Sequence, residues 1–307
     1  MSEFKRPTLE DRAWVEELLA LGDERGCEYN FSTLYLWCHA FHVEIARIGD
    51  FFTERLCAPN GCHYLFPVGR GDLRGALEEL EKDSQRRGTE FSLTGVNPED
   101  QQKLEELYPG RFRYQPNTFS FDYLYDIDRM ADLGGKKLHA KRNHISRFME
   151  NNPDWSFQPL TGDNLTECMA MAEEWYRRSG GGEDGVMLDD SLKEEAAGIR
   201  KAAAHFRTLE LEGGLLRAGG RVIAFTIGDK LNANSDTYNV HYEKAFGEIQ
   251  GAYAMINREF ARWVREHHPE IRYLNREEDM GLEGLRRAKR SYYPDILLEK
   301  YLAIEVK

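Results

Sequence analysis

No stretch of this chain is apolar for the roughly 20 residues that a membrane-crossing helix needs. The nearest, Leu34 to Phe52, is broken by His39, His42, Glu44, Arg47 and Asp50. The first residues, MSEFKRPTLEDR, hold no apolar block of the kind a secretory signal uses. A cytoplasmic location is expected. Cysteine is scarce: Cys27, Cys38, Cys57, Cys62 and Cys168 show no paired framework, which fits a reducing compartment. Cys57, Cys62 and His63 resemble a fragment of a metal site, but no second Cys/His cluster stands nearby to complete four ligands. No metal is expected. Basic charge is also short, with 41 Lys and Arg against 53 Asp and Glu and a net charge of −12. That balance argues against general nucleic-acid coating, though not against local basic patches.

Apolar material is sufficient. With 307 residues, 41% of them hydrophobic, the chain can build two ordinary domain cores. Spacing of Trp14, Leu18 and Leu21 predicts a helix over Leu9 to Leu21, and NFSTLYLWCHA a short buried helix capped at Asn30 or Ser32. Strands are expected over Val43–Ile48, Phe51–Ala58 and His63–Val68, joined by the hairpin signals Gly49-Asp50 and Asn60-Gly61. A helix Asp72–Arg87, a strand Glu90–Thr94 and a helix Pro98–Leu107 follow.

The second half repeats that order. Strands Leu215–Arg217, Arg221–Asp229 and Asp236–Glu243 precede a helix Gln250–Glu266, a strand Ile271–Asn275 and a helix Leu282–Arg290. Identity between the halves is negligible, but the shared order points to two copies of one α/β unit, residues 1–125 and 126–307. Between them lie a strand Phe119–Tyr125 and a basic segment with Lys136, Lys137, His139, Lys141, Arg142, His144 and Arg147. It reads either as a solvated helix or as a wall for an anionic group. Helices Thr161–Arg178 and Ser191–Phe206 flank a glycine-rich loop, Ser179–Gly185, placed where a lid is tolerable.

The stretch Asp236–Val306 organises the rest. In TYNVHYE, Tyr238, Val240 and Tyr242 alternate with Asn239, His241 and Glu243, the two-residue period of a strand. Gly247 and Gly251 bracket the turn FGEIQGAY, after which Ile256, Phe260, Trp263 and Val264 fall at helical spacing. A helix opening at a strand end presents free N–H groups and a positive dipole end, so this turn would seat a phosphate or a carbonyl oxygen. Glycine there is equally just a good connection. Beyond it come the strand-end run Asn275, Arg276, Glu277, Glu278, Asp279, a basic helix with Arg286, Arg287, Lys289 and Arg290, and one long final strand, Ile296–Val306.

The pieces YNFSTLYLW, LGGKKLHAKRNHISRF, VHYEKAFGEIQGAYAMINREFA and YLNREEDMGLEGLRRAKRSYYP resemble the family named for the C-terminal domain of phosphatidylglycerol lysyltransferase, over nearly the whole chain. The resemblance implies an α/β (α+β) fold of two tandem GNAT-like acyltransferase domains, with mixed, mostly antiparallel central sheets flanked by helices. It also implies likeness to Fem-type transferases that use aminoacyl-tRNA. In such folds the donor's carbonyl end lies where a central strand splits from its neighbour. Here that is Val240–Ala252, with Gln250, Gly251 and Ala252 as main-chain donors beside Gly247. The fold's pattern further implies Asn275 at the strand end and Tyr292 as a leaving-group acid.

Acyl transfer needs a base and a group that polarises the developing oxyanion. Glu277 and Glu278, with Asp279, offer the base, and His241 and Glu243 are second candidates. Lys289 or the FGEIQGA amides offer polarisation, and Lys141 and Arg142 offer contacts to tRNA. The bland alternatives are that Glu277 to Asp279 cap the helix at Leu282, that Tyr292 is a core or turn residue, and that Arg276 pairs with an acid. Catalysis is expected in the second unit, the first having lost its site. The donor is expected to be aminoacyl-tRNA, with acyl-CoA as the alternative, and the acceptor an amine or hydroxyl of a small molecule or lipid headgroup. A non-catalytic anion-binding module is the third reading.

Overall fold

The computed structural model describes residues 3–58, 61–179 and 190–306. The expected glycine-rich loop lies, after Ser179, outside the described residues.

In the first half, helices α1 (Arg12–Leu19) and α2 (Phe31–Trp37) precede strands β1 (Val43–Ile48), β2 (Phe51–Ala58), β3 (Gly61–Leu65) and β4 (Val68–Gly69). Helix α3 (Leu73–Arg87), β5 (Ser92–Val96), α4 (Pro98–Leu107) and β6 (Phe112–Pro116) complete it. Local chemistry sets the ends. Asn30 caps α2 by accepting the Thr33 amide at 2.7 Å, and Asn97 with Asp100 forms a capping box ahead of Pro98. Gly49, at φ 59, turns β1 into β2 so that Ile48 pairs with Phe51.

The chain then crosses over. Strand β7 (Asp122–Asp126) leads to α5 (Ile127–Asp132), α6 (His139–Asn151), β8 (Ser156–Pro159), α7 (Leu165–Ser179) and α8 (Asp190–Ala204). Next come β9 (Glu212–Ala218), β10 (Arg221–Lys230), β11 (Thr237–Ala245), α9 (Ala252–His267), β12 (Tyr273–Asn275) and α10 (Glu283–Arg290). The last strands are β13 (Ile296–Leu298) and β14 (Tyr301–Glu305).

Two seven-stranded sheets result, ordered β1-β2-β3-β5-β14-β6, with β4 beside β2, and β13-β7-β12-β11-β10-β9-β8. Each carries a single parallel pair of strands amid antiparallel neighbours. In the first, Tyr64 and Leu65 of β3 pair with Leu93 and Thr94 of β5. In the second, Thr237–Asn239 of β11 pairs with Tyr273–Asn275 of β12, after which the strands diverge. The repeated order read from the sequence is therefore a repeated topology.

The sheets trade strands. The expected single strand Ile296–Val306 is two: β13 pairs with β7 in the second sheet, and β14 runs between β5 and β6 in the first. The break falls at Glu299–Lys300, where Lys300 is 3% exposed with its ammonium turned to buried carboxylates. A residue-125 division falls inside β7, which belongs with β12 and β13. The chain thus crosses between sheets at both ends of the second half.

The cysteine expectation also changes. Cys57 and Cys62 face each other across the β2–β3 ladder with Cα atoms 4.1 Å apart and form a disulfide. Their separation in sequence is that of a hairpin, and the register alone brings them together. Cys27, Cys38 and Cys168 are buried and free.

Candidate active site

A cavity of about 410 Å³ opens between the two halves. Thr33, Leu34 and Trp37 of α2, Glu54 and Leu56 of β2, His63 and Leu65 of β3 and Thr94 of β5 line one part of it, together with Cys27, Glu28, Asn117 and Ser120. Glu277, Glu278 and Met280, from the loop after β12, and Lys300 and Leu302 line another part. The first unit, expected to be without a site, supplies most of this surface.

Its polar part is acidic. Lys300 Nζ donates to Asp122 at 3.0 Å, to Glu278 at 3.4 Å and to Glu28, with the Cys27 thiol at 3.8 Å. Asp122 in turn accepts the Cys27 amide at 2.7 Å and the Asn275 amide at 2.8 Å. One buried ammonium thus serves three carboxylates. Burial opposes its charge, yet the carboxylates hold the Lys300 pKa well above its ordinary value. Burial, partly countered by Lys300 and reinforced by Asp122 and Glu28, pushes Glu278 up to about 7. A carboxyl there exchanges its proton near neutral pH, which suits a general base.

Behind Glu277 stands a second buried array. His241 is enclosed, its Nδ1 2.9 Å from Glu277 and its Nε2 2.9 Å from Asp229. Asp229 also accepts from Asn30 at 2.9 Å and from Ser32. Burial alone would lower the His241 pKa; Asp229 and Glu277 overcome it and hold it at about 10. His241 is therefore an imidazolium at neutral pH, with no lone pair to accept a proton, and it does not serve as a base. Its charge instead fixes Glu277.

The loop bearing the acids is held in place. Glu277 and Met280 sit at φ 57 and 51, a conformation that costs a side-chain-bearing residue energy. Asn275 accepts the Glu277 amide at 2.7 Å. Lys289 Nζ donates to the carbonyls of Glu277, at 3.0 Å, and of Glu278. Its expected role of polarising an oxyanion is thus replaced by pinning this loop. Glu277 and Glu278 do not cap α10; Asp279 holds its entry, accepting from Gly281 N at 2.8 Å and pairing with Arg286 at 2.8 Å.

The other residues singled out from the sequence lie apart from the cavity. Gly247 and Gln250 are exposed. Gly251, at φ 85, opens α9 against α6, where an added Cβ would fall 2.3 Å from the His144 carbonyl. The Ala252 amide is bonded to the Ile249 carbonyl at 3.1 Å, so it is not a free donor. Arg142 donates to the carbonyls of Leu133 and, at 2.8 Å, Gly135, fastening the turn before α6 rather than facing a ligand.

A smaller constellation fills the splay between β11 and β12. Arg276 pairs with Glu243 at 2.8 Å, and its Nη1 is buried without a partner. Lys141 Nζ lies 3.8 Å over the Tyr292 ring and donates to Ser291 at 2.7 Å. Burial, then repulsion by Arg276, lowers the Lys141 pKa to about 8. Tyr292 is 6% exposed and packs edge-on to Tyr125, and burial raises its pKa further. It does not line the cavity. Lys141–Ser291 and Lys137, 5.4 Å over the Tyr293 ring, bring the basic α6 stretch against the end of the basic helix α10.

Sequence reasoning missed Glu28, Glu54, Asp122, Asp229 and Lys300. A signal existed for Glu54: FFTERLCA sets an acid and a base, Glu54 and Arg55, between apolar strand ends. His63 was weighed only as a metal ligand; its Nδ1 lies 2.7 Å from Ser92 and burial lowers its pKa, leaving a neutral ring on the wall.

Comparison with known proteins agrees with this architecture. The family model described as "Phosphatidylglycerol lysyltransferase, C-terminal" matches residues 19–304. A conserved protein of unknown function from Bacteroides thetaiotaomicron VPI-5482 is 38% identical, with a TM-score of 0.91 and 100% of both chains covered. L-PGS from Bacillus licheniformis is 17% identical at a TM-score of 0.61, covering 98% of this chain and 92% of that one. FemX shares the fold at a TM-score of 0.57 and 11% identity, covering 99% and 95%. Among the described residues no helix is long and apolar enough to cross a membrane.

Proposed function

Because the chain belongs to the phosphatidylglycerol lysyltransferase C-terminal family, we propose that it is a tandem GNAT-like acyltransferase that moves an aminoacyl group from aminoacyl-tRNA to an amine or hydroxyl. The observation that carries this reading is Glu278, poised near pH 7 on the wall of the inter-sheet cavity. In the step, the acceptor's nitrogen or oxygen attacks the ester carbonyl of the donor and Glu278 takes its proton. The tetrahedral oxyanion collapses, the bond to the tRNA 3′ oxygen breaks, and that oxygen receives the proton. Lys300 is committed to its carboxylates and the Thr33 hydroxyl to Asn30, so the oxyanion is left to the Ser120 hydroxyl and the second amide hydrogen of Asn117, whose first is donated to Ser120. The joined basic surface, with Lys136, Lys137, Arg147 and Arg287 exposed, supports a polyanionic donor.

An acyl-CoA donor is the second reading, supported by Arg276, whose unpartnered Nη1 beside Lys141 suits a phosphate oxygen in the β11–β12 splay. Incubation with radiolabelled aminoacyl-tRNA or acetyl-CoA and an amine panel separates them. Glu278→Gln is expected to lower turnover of the consumed donor about 10²–10⁴-fold. Wild-type turnover should rise with pH through about 7, as the Glu278 carboxylate forms. If neither donor is consumed, the protein is an anion-binding module and the transfer reading is wrong.

A further inference from the structure

Behind the cavity wall lies a sulfur pair that the transfer chemistry leaves unused. Leu56 of β2 and His63 of β3 line the cavity and oppose each other in the ladder, and the next rung is Cys57 opposite Cys62. By the two-residue period of a strand, their disulfide lies on the other face of the sheet, backing that wall. Its part in holding the fold is small. A cross-link contributes most by closing a long loop, and this one joins positions five apart in sequence. The rungs Leu56–His63 and Ala58–Gly61 already hold those positions together. The two sulfurs also differ in access. Cys57 is partly exposed beside the exposed Ala58, whereas Cys62 is 7% exposed. Cys27, Cys38 and Cys168 are buried and unpaired, so of the five cysteines only Cys57 is open to an incoming thiol.

We propose that Cys57–Cys62 is a thiol-exchange site, that a low-molecular-weight thiol enters it at Cys57, and that its oxidation state sets how firmly the cavity wall in front of it is held. In the first step a thiolate attacks the Cys57 sulfur, the Cys57–Cys62 bond breaks, and Cys62 departs as a thiolate that takes a proton from water. The product is a mixed disulfide on Cys57. A second thiolate attacks the outer sulfur of that adduct, forming the external disulfide and releasing Cys57, which is protonated in turn. The two external thiols supply the two electrons. With the bond cut, the end of the β2–β3 ladder is held by hydrogen bonds alone. Leu56 loses the covalent brace beside it, and the His63 ring keeps its contact with Ser92, at 2.7 Å. The inference stands apart from the transfer reading, since it needs neither acyl donor nor acceptor.

The test is incubation of the full chain at neutral pH in glutathione buffers of graded thiol-to-disulfide ratio, followed by acid quench, alkylation of free thiols and peptide mass spectrometry. The pair is expected to open without denaturant, with the glutathione adduct on Cys57 in about tenfold excess over Cys62. Cys62→Ser, which leaves Cys57 free, is expected to take up one glutathione, and Cys57→Ser none. On reduction, amide hydrogen exchange is expected to rise about tenfold in peptides from β2 and β3 and to stay unchanged in β9 and β10. A pair that stays closed under excess thiol, or opens only when the whole chain unfolds, would be a structural staple and would overturn the proposal. Equal adducts on the two sulfurs would do the same. Opening that leaves exchange in β2 and β3 unchanged would overturn the link to the wall.

Discussion

Two buried charge clusters lie on either side of the loop from Asn275 to Asp279, and they are out of balance in opposite directions. On the cavity side, Glu28, Asp122 and Glu278 share Lys300, and Glu54 adds a fourth acid with no ion pair of its own. In the β11–β12 splay, Arg276 and Lys141 share Glu243. Arg276 and Glu278, two positions apart, would share a face in an extended chain; the left-handed Glu277 between them, at φ 57, turns them to different sides of the loop. The difference teaches where each cluster could accept a ligand. An acid surplus is relieved by a cation and a cation surplus by an anion, and a fully buried imbalance persists only where something completes it.

The comparison is tested most severely at Lys300. Replacing it in Lys300→Met leaves Glu28, Asp122 and Glu278 crowded without a counter-charge, and a loss of about 3–5 kcal/mol at pH 7.5 is expected. The deficit should shrink on acidification. Glu278 has its folded-state pKa raised to about 7, above the unfolded carboxylate value, so the native state binds more protons than the unfolded one between those values. Stability then rises as pH falls through that window. Urea denaturation at pH 7.5 and 5.5 reads the difference. A deficit that stays constant would mean that the acids are not the cause.

Asp229→Asn is expected to cost less, about 1–3 kcal/mol at pH 7, by taking one carboxylate from the His241 imidazolium. His241 has its folded pKa raised to about 10, so its stabilisation is complete below the unfolded value and is lost as pH rises through about 10. In the variant that loss should begin at lower pH. Following the His241 ring by NMR across pH 6 to 10 checks it; an unmoved titration would show that Glu277 alone holds the charge.

Much of the fold was legible because it is local. The caps at Asn30 and Asn97, the Gly49 turn and the alternation in TYNVHYE are written within a few residues of where they act. The family and the tandem topology were also readable, from long motifs and from element order. The site was legible only in half. Glu277 and Glu278 follow a strand end, a pattern visible in one dimension. Their partners do not: Lys300 reaches Glu28 across 272 positions, and His241 meets Glu277 across 36. The split of the last strand was hidden for the same reason, since Ile296–Val306 reads as one long strand, yet Leu298 and Tyr301 pair into different sheets. Sequence spacing likewise favoured the FGEIQGA turn, whose Ala252 amide is consumed by its own Ile249 carbonyl.

The splay supplies the smallest expected change and the sharpest sign. Lys141→Ala removes a half-buried ammonium whose pKa is held at about 8 by burial and by Arg276. In an ordinary ion pair the loss of a charge destabilises. Here Lys141 makes one hydrogen bond, to the Ser291 hydroxyl, and stacks on the Tyr292 ring, while repelling Arg276. A hydrogen bond from a charged donor contributes about 1.5 kcal/mol and a cation–π contact about 1 kcal/mol, and the relieved repulsion and desolvation offset them. The variant should therefore lie within about 0.5 kcal/mol of wild type at pH 7. Above pH 8, where wild-type Lys141 has already lost its proton, the repulsion is gone from both and the variant should be the less stable of the two. Inorganic pyrophosphate should reverse the order at pH 7 as well, stabilising the wild type more than Lys141→Ala, because only the wild type then gains an anion between two cations. Thermal unfolding with and without pyrophosphate reads all of this. Equal shifts in the two proteins would leave the splay as packing, and the acid-lined cavity as the molecule's ligand site.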